Sequence, residues 1–266
     1  PAWLELVAAA SEAGLRAGMI TNAVALDRKA VAAARDAGLV SFGFSLDGLE
    51  ATHDRTRGRR GHFRRLFEAM EDCAAERMPF AVVTHLNRQN LGQLDAMHEL
   101  VVRRGAYAWQ VQLGTDMGSF SDHPELMPRP RDLVRIEREL AGLVGRSPIR
   151  VHVSDSIGYY GPGERSLRRF APGRRFGGCP AGLRVVGIES NGNVKGCLSI
   201  LAGYNERGAE FVEGNIRETS LAEIWRRPGA FSYNRGFSID DLGGACRDCR
   251  HAARCRGGCT AKKVAS

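Results

Sequence analysis

No apolar run in these 266 residues approaches the ~20 consecutive apolar positions of a membrane-spanning helix, so the sequence gives no support for a bilayer role. The start carries no secretory signal, which removes the usual argument for an oxidising compartment and favours cytoplasmic residence. Aromatic residues are only 7% of the chain. The doublets Arg59-Arg60, Arg64-Arg65, Arg103-Arg104, Arg168-Arg169 and Arg174-Arg175 carry much of the net charge of +8, and no single patch that sets exposed aromatics among them is evident from the sequence. A nucleic-acid surface sets exposed aromatics among its cations on one patch, so these doublets read as solvated helix faces and speak against a nucleic-acid partner. Cysteine is almost missing from the first two thirds, where Cys73 alone precedes Cys179. It shares a helix face with Phe63, Leu66, Phe67 and Met70 and reads as a core thiol.

What is present is an ordinary globular composition, 43% hydrophobic and 26% charged, with room for a large domain and a small one. Four of the seven cysteines crowd into CRDCRHAARCRGGC, where Cys246, Cys249, Cys255 and Cys259 follow CxxCxxxxxCxxxC. Short gaps let one loop aim several sulfurs at a common region, which suits a metal centre. A disulfide knot is the competing reading, but a chain of this length can bury a core without such staples.

The first half repeats one grammar, an amphipathic helix, a glycine, then a brief apolar run ending in polar residues, which predicts βα units and a parallel sheet. Trp3, Leu4, Leu6, Val7 and Ala10 form the first helical stripe, and Gly18-Met19-Ile20 ends at Thr21-Asn22. Further strands are expected within Ser41 to Gly48, where the strand opens into a loop, over Phe80 to Thr84, over Trp109 to Leu113 with Gly114-Thr115-Asp116 after it, and over Ile149 to Val153. Parallel βα architectures bind ligands at the carboxyl ends of their strands. Those ends are Thr21-Asn22, Ser45 with Asp47, Thr84 to Asn87, and Gln110 with Gln112, together a polar rim over a partial barrel.

Glycine, proline and arginine accumulate over 157–178, which places a linker there between domains over 1–156 and 179–266. Beyond it, Leu183 to Ile188 and Asn193 to Cys197 flank Asn191-Gly192, the signature of a hairpin with a tight primed turn. That hairpin carries Cys179 and Cys197 toward the terminal run. Ser220-Leu221-Ala222-Glu223 is a capping box opening a short structural helix. Six thiols outside the core exceed what a single zinc ion takes, and iron–sulfur centres fit them better.

Cys179, a twelve-residue gap to Gly192, Cys197, and then the CxxCxxxxxCxxxC run resemble the SPASM domain of radical S-adenosylmethionine (SAM) enzymes. Ile20-Thr21-Asn22, Ser45-Leu46-Asp47-Gly48 (SxDG) and His53-Asp54-Arg55-Thr56-Arg57-Gly58 (HDxxRG) resemble segments of the same enzymes' partial (β/α)6, TIM-like barrel. The resemblance implies an α/β fold, the partial barrel followed by a small cysteine-rich domain, and a radical SAM oxidoreductase acting on a peptide or protein, ribosomal peptide maturation above all. Leu198 follows Cys197 where sulfatase-maturing relatives carry an acidic residue, which argues against that activity. Two departures stand out: there is no CxxxCxxC loop for a catalytic [4Fe–4S] cluster and no GGEP-like strand. The expectation is therefore a chain lacking its first strands and inactive alone.

Residue by residue, the resemblance implies that Cys179, Cys197 and Cys259 hold one auxiliary [4Fe–4S] cluster. Cys246, Cys249 and Cys255 would hold a second, and a third, catalytic one would belong to the intact protein. Thr21, Asn22, Ser45, Asp47 and Arg57, with Asn87 and Gln112, would line the S-adenosylmethionine pocket. A flavodoxin or ferredoxin would supply electrons. The alternative reading is a non-catalytic zinc- or iron–sulfur-binding interaction module.

Overall fold

The computed structural model describes residues 2–114, 120–154, 157–200 and 209–265; Thr115 and Asp116 lie outside the described residues. The chain divides into two compact units, Pro1–Gly114 with Pro128–Ile157, and Thr115–Met127 with Gly158–Ser266.

In the first unit, strands and helices alternate as α1 (Ala2–Glu12), β1 (Gly18–Thr21), α2 (Arg28–Asp36), β2 (Ser41–Ser45), α3 (Glu50–Thr56), α4 (His62–Ala75), β3 (Phe80–Leu86), α5 (Leu94–Arg103), β4 (Ala108–Leu113), α6 (Pro130–Arg146) and β5 (Arg150–Val153). The five strands pair in parallel in the order β1-β2-β3-β4-β5. Strand order follows chain order with no reversal, so every crossover runs the same way. The helices then cover one face, and the other is the inner wall of a partial barrel.

Period-two alternation decides which side chains meet the helices. Phe42, Phe44, Phe80, Val82, Trp109, Val111, Val151 and Val153 are buried on that side, and the helices supply Leu66, Met70, Met97, Val101, Ile136 and Leu140. Burying each such side chain contributes about 1.5–3 kcal/mol. The one buried indole is satisfied by a polar chain across three strands: Trp109 Nε1–H donates to Thr84 Oγ1 (2.8 Å), whose hydroxyl donates to the Leu46 carbonyl (2.6 Å). Cys73 sits fully inside this layer, and burial pushes its thiol up to about 12. On the inner wall, small residues in register (Gly43, Ala81, Ala108) open a concavity of 310 Å³.

Three expectations need correction. The stripe on α1 is not a buried face: Val7 alone is buried and Leu6 is 72% exposed, because α1 packs on α2 at the end of the sheet where, among the described residues, β1 has β2 as its one strand neighbour. The third strand runs two residues past Thr84, to Leu86, so His85 belongs to the sheet. The hairpin strands are also shorter than expected, β6 (Gly187–Ile188) and β7 (Asn193–Lys195), and a third strand, β8 (Gly214–Asn215), completes an antiparallel sheet.

The turn between β6 and β7 is not the primed type. Gly192 alone takes a positive φ (95°), the Gly192 amide donates to the Glu189 carbonyl (2.9 Å), and the Glu189 amide to the Asn193 carbonyl (2.8 Å). That is a type I turn closed by a glycine bulge. Glycine is required there on steric grounds as well, since a Cβ would stand 2.5 Å from Asn215 Oδ1. Among the described residues, no helix is long and apolar enough to cross a membrane.

Candidate active site and metal centres

The segment after β2 organises the strand-end site, and each of its polar residues has a distinct task. The Asp47 carboxylate, 3% exposed, accepts from Arg57 Nη2 (2.5 Å) and from the His85 amide (2.9 Å), so one carboxylate fixes a cation and the end of β3. Asp54 accepts from the Gly61 (2.6 Å) and Phe63 (2.8 Å) amides and thereby holds the start of α4. Those two amides hold the Asp54 carboxyl below its ordinary range.

His53 and His62 form a closed relay. The Asp47 amide donates to His53 Nδ1 (3.1 Å), His53 Nε2 meets His62 Nδ1 at 2.7 Å, and His62 hydrogen-bonds the Asn22 backbone carbonyl through its other nitrogen. Only one tautomer pair satisfies all three contacts, with the proton on Nε2 of each neutral ring. The rings stack at 4.9 Å and both are buried. Burial, reinforced by His62, lowers His53 to about 4, and burial lowers His62 as well. The relay ties the end of β1 to the end of β2.

Asn90 closes the remaining side. Its Nδ2 donates to the Asp47 (3.1 Å) and His85 (2.8 Å) carbonyls, and its Oδ1 accepts from the Asn87 amide (2.9 Å). Gln112 contacts His85 Nε2 and accepts from Gln110 at 3.3 Å.

Of the seven pocket residues read from the sequence, the structure therefore brings Asp47, Arg57 and Gln112 around His85, and Ser45 sits on the inner wall, in register with Val83. The side chains of Thr21, Asn22 and Asn87 are committed locally. They accept from the Ala23 (3.0 Å), Val24 (3.2 Å) and Gln89 (2.8 Å) amides and shape the turns after β1 and β3. His62 and Asn90 escaped the sequence reading, and His85 entered it only as part of the strand end Thr84 to Asn87, without a role of its own. Period-two spacing with Ala81 and Val83 places His85 on the inner wall, and that was its available signal.

The six outlying thiols, all unpaired, fall into two groups. Cys179 lies in a small core with Ala181, Ile200, Phe211 and Ala261, and Cys197, Cys259 and Tyr233 pack against it. The second group is Cys255 with Cys246 and Cys249. Burial raises the Cys255 thiol, the Gly258 and Gly257 amides oppose that, and Cys246 and Cys249 add to the rise. Cys259 is likewise raised by burial, with Cys179 and Cys197 adding to it.

Backbone amides aim at these sulfurs. The Ser199 amide donates to Cys197 Sγ and the His251 amide to Cys249 Sγ, each at 3.4 Å. The Cys255–Cys259 turn needs its glycines: Arg256, Gly257 and Gly258 all have positive φ, and a Cβ on Gly258 would stand 2.9 Å from the Tyr159 ring. Mutually repelling thiolates supported by amides are a donor set that a cluster's positive iron would stabilise. Among the described residues, no three acidic, histidine or cysteine side chains converge tightly enough for a single metal ion. A polynuclear cluster spreads its ligands around a core and does not draw them to one point, and two groups of three thiols are a donor set of that chemistry.

Two family matches follow the same division. The SPASM iron–sulfur cluster-binding domain matches residues 179–250, and the radical SAM superfamily matches residues 1–101. The chain belongs to the radical SAM family and carries a SPASM domain.

AdoMet-dependent heme synthase of Methanosarcina barkeri is 28% identical over 100% of this chain and 75% of its own length. PqqA peptide cyclase of Rhodopseudomonas palustris is 30% identical over 98% of this chain and 66% of its own length. SuiB of Streptococcus suis has the same fold. Bound to S-adenosylmethionine it gives a TM-score of 0.74 at 15% identity, over 99% of this chain and 60% of its own. Bound to precursor peptide SuiA it gives a TM-score of 0.73, over 99% of this chain and 59% of its own. The radical SAM/SPASM chain thus spans about two thirds of the length of most of these relatives. The cofactors that go with its family are [4Fe–4S] clusters and S-adenosylmethionine.

Proposed function

We propose that this chain forms part of a radical SAM/SPASM enzyme that modifies a ribosomally made peptide. Cys179, Cys197 and Cys259 would hold one auxiliary cluster, and Cys246, Cys249 and Cys255 the other. The observation that carries this reading is the separation of the six thiols into two groups of three, each supported by backbone amides. A peptide substrate is favoured because a peptide cyclase matches over nearly the whole chain, and because a structural neighbour is solved with a precursor peptide.

S-adenosylmethionine, when bound beside a reduced cluster, supplies a carbon-centred radical that abstracts hydrogen from substrate. This chain's residues would bind and orient it. Arg57, pinned by Asp47 and 30% exposed, keeps N–H groups free to meet a carboxylate. Ser45 and Gln112 offer short polar groups on the inner wall to hydroxyls or an amine. Thr21, Asn22 and Asn87 line the pocket through the turns they shape. A flavodoxin or ferredoxin serves as electron donor, and the enzyme works in the cytoplasm, where such low-potential centres persist. The match to heme synthase along the full chain favours a second reading, a tetrapyrrole substrate.

Single alanine replacements in the anaerobically reconstituted protein test the cluster assignment by iron content and Mössbauer spectra. Cys259→Ala and Cys197→Ala are expected to remove the same cluster, and Cys249→Ala the other. If Cys259→Ala removes the cluster lost with Cys249→Ala, the assignment is wrong. Titration with peptide and with porphyrin, read by fluorescence anisotropy and the Soret band, separates the two substrate readings.

A further inference from the structure

Helix Ser232–Arg235 is clamped to the loop that carries Cys179. Asn234 Nδ2 donates to the Cys179 and Ala181 carbonyls, both at 2.7 Å, and Arg235 Nε donates to the Gly182 carbonyl at 2.7 Å. The same helix carries Tyr233, which packs, as Cys197 and Cys259 do, against the small core that holds Cys179 and meets Phe211 edge-on at 5.1 Å; Cys179 and Cys197 lie near enough to act on its hydroxyl. Its hydroxyl is buried, and although the Gly196 amide points at its oxygen, its own proton has no acceptor among the described residues.

That hydroxyl lies directly over Gly196, the residue before Cys197: a Cβ at Gly196 would stand 2.0 Å from it. The φ of Gly196 is not positive, so glycine is needed at this position for close approach and not for its conformational freedom. A buried hydroxyl left without an acceptor costs about 1–3 kcal/mol, and an arrangement that reserves a side-chain-free surface to seat one needs an acceptor to arrive. The acceptors near it are the Cys179 and Cys197 sulfurs and the Glu213 carboxylate; Glu213 is already engaged by the Phe231 amide and Arg227, whereas sulfur becomes a strong acceptor once thiolates or sulfides carry charge.

We propose that Tyr233 is a positioning and potential-tuning residue whose hydroxyl donates a hydrogen bond to the sulfur shell of the iron–sulfur cluster held by Cys179, Cys197 and Cys259. It rests on the cluster assignment above. A hydrogen bond to sulfur stabilises the reduced, more negative state, so Tyr233 raises the potential of this cluster alone.

The test is an EPR-monitored redox titration of the reconstituted protein and its Tyr233→Phe variant, with iron content measured alongside. Tyr233→Phe is expected to keep its iron. At the wild-type midpoint, the reduced-to-oxidised ratio of the Cys197-dependent cluster falls about threefold or more, and the signal lost in Cys249→Ala does not move. Replacing Tyr233 by 3-fluorotyrosine, a stronger donor of nearly the same size, shifts the same cluster the opposite way. This second arm decides the matter if Tyr233→Phe loses its cluster. Unchanged midpoints with full iron overturn the proposal, and so does a fluorotyrosine shift of the same sign as the phenylalanine shift. Failure of the assignment itself has a separate signature, namely Cys197→Ala retaining every cluster.

Discussion

The two units of this chain are stabilised by different means. In the first, five parallel strands and their helices bury continuous rows of Phe, Val, Leu and Met, and the Trp109 indole and Thr84 hydroxyl among them are hydrogen-bonded inside the unit. In the second, the strands are two or three residues long. Among the described residues its apolar burial is spread over small groups, Cys179, Ala181, Ile200, Phe211 and Ala261 in one, Val194, Ile224, Ala230 and Phe231 in another, with Leu167, Phe176, Leu242 and Ala252 buried besides. Much of its backbone is held by turns, caps and positive-φ glycines. A barrel wall can fold on periodicity alone, whereas a loop-rich domain with so little apolar burial must draw stability from what its thiols bind.

The largest expected effect breaks the comparison outright if it fails. Stripping iron from the reconstituted protein with chelator should open the second unit while leaving the first folded. Limited proteolysis read by mass spectrometry should then show cleavage within 179–265 accelerating more than tenfold, with 2–114 remaining protected. Equal protection of both units after iron removal would mean that the small apolar groups suffice and that the contrast is false.

This contrast also explains what was legible beforehand. Strand and helix faces of the first unit follow from spacing, because burial there imposes periods of 2 and 3.6. The α1 stripe misled, since periodicity describes a face and not whether anything covers it. In the second unit, Asn191-Gly192 marked the hairpin correctly but not its turn type, and the two-residue β8 left no periodic signal at all. The strand-end site was half legible. Carboxylate and arginine stood out in SxDG and HDxxRG, but His62 has significance only through His53, nine residues before it, and the Asn22 carbonyl. A backbone acceptor has no letter in the sequence. The division of the terminal thiols between two groups came from the family resemblance, because spacing alone suggests one four-thiol knot.

The next effect concerns the buried histidine pair that the first unit holds in neutral form. His53 is lowered from 6.5 to about 4, chiefly by burial and then by His62, with Arg57 in the same direction and Asp47 and Asp54 opposing. An unfolded chain binds a proton at this histidine below pH 6.5, and the folded chain does so only near pH 4. Stability should therefore be fully present above 6.5, fall as pH drops through that window, and level off below it. At 1.36 kcal/mol per unit the loss is on the order of 3 kcal/mol, and His62 adds to it in the same direction. Urea denaturation between pH 7.5 and 4 measures it. His53→Asn should flatten the slope while lowering stability throughout, and an unchanged slope would remove the relay from the account.

The smallest effect tests the one place where the first unit departs from its own pattern. Leu6 belongs to the apolar stripe of α1 but is 72% exposed, whereas Leu66 on α4 is fully buried. The two leucines are alike in sequence context, and only the surroundings differ. Leu66→Ala removes a side chain from a closed layer and should cost about 2–5 kcal/mol, because the transfer term and the cavity add. Leu6→Gln has no cavity to create and keeps a good helix former, so thermal melts should place it within about 0.5 kcal/mol of the parent. A loss at Leu6 comparable to that at Leu66 would mean that α1 is covered in solution. The stripe read from the sequence would then describe a buried face after all.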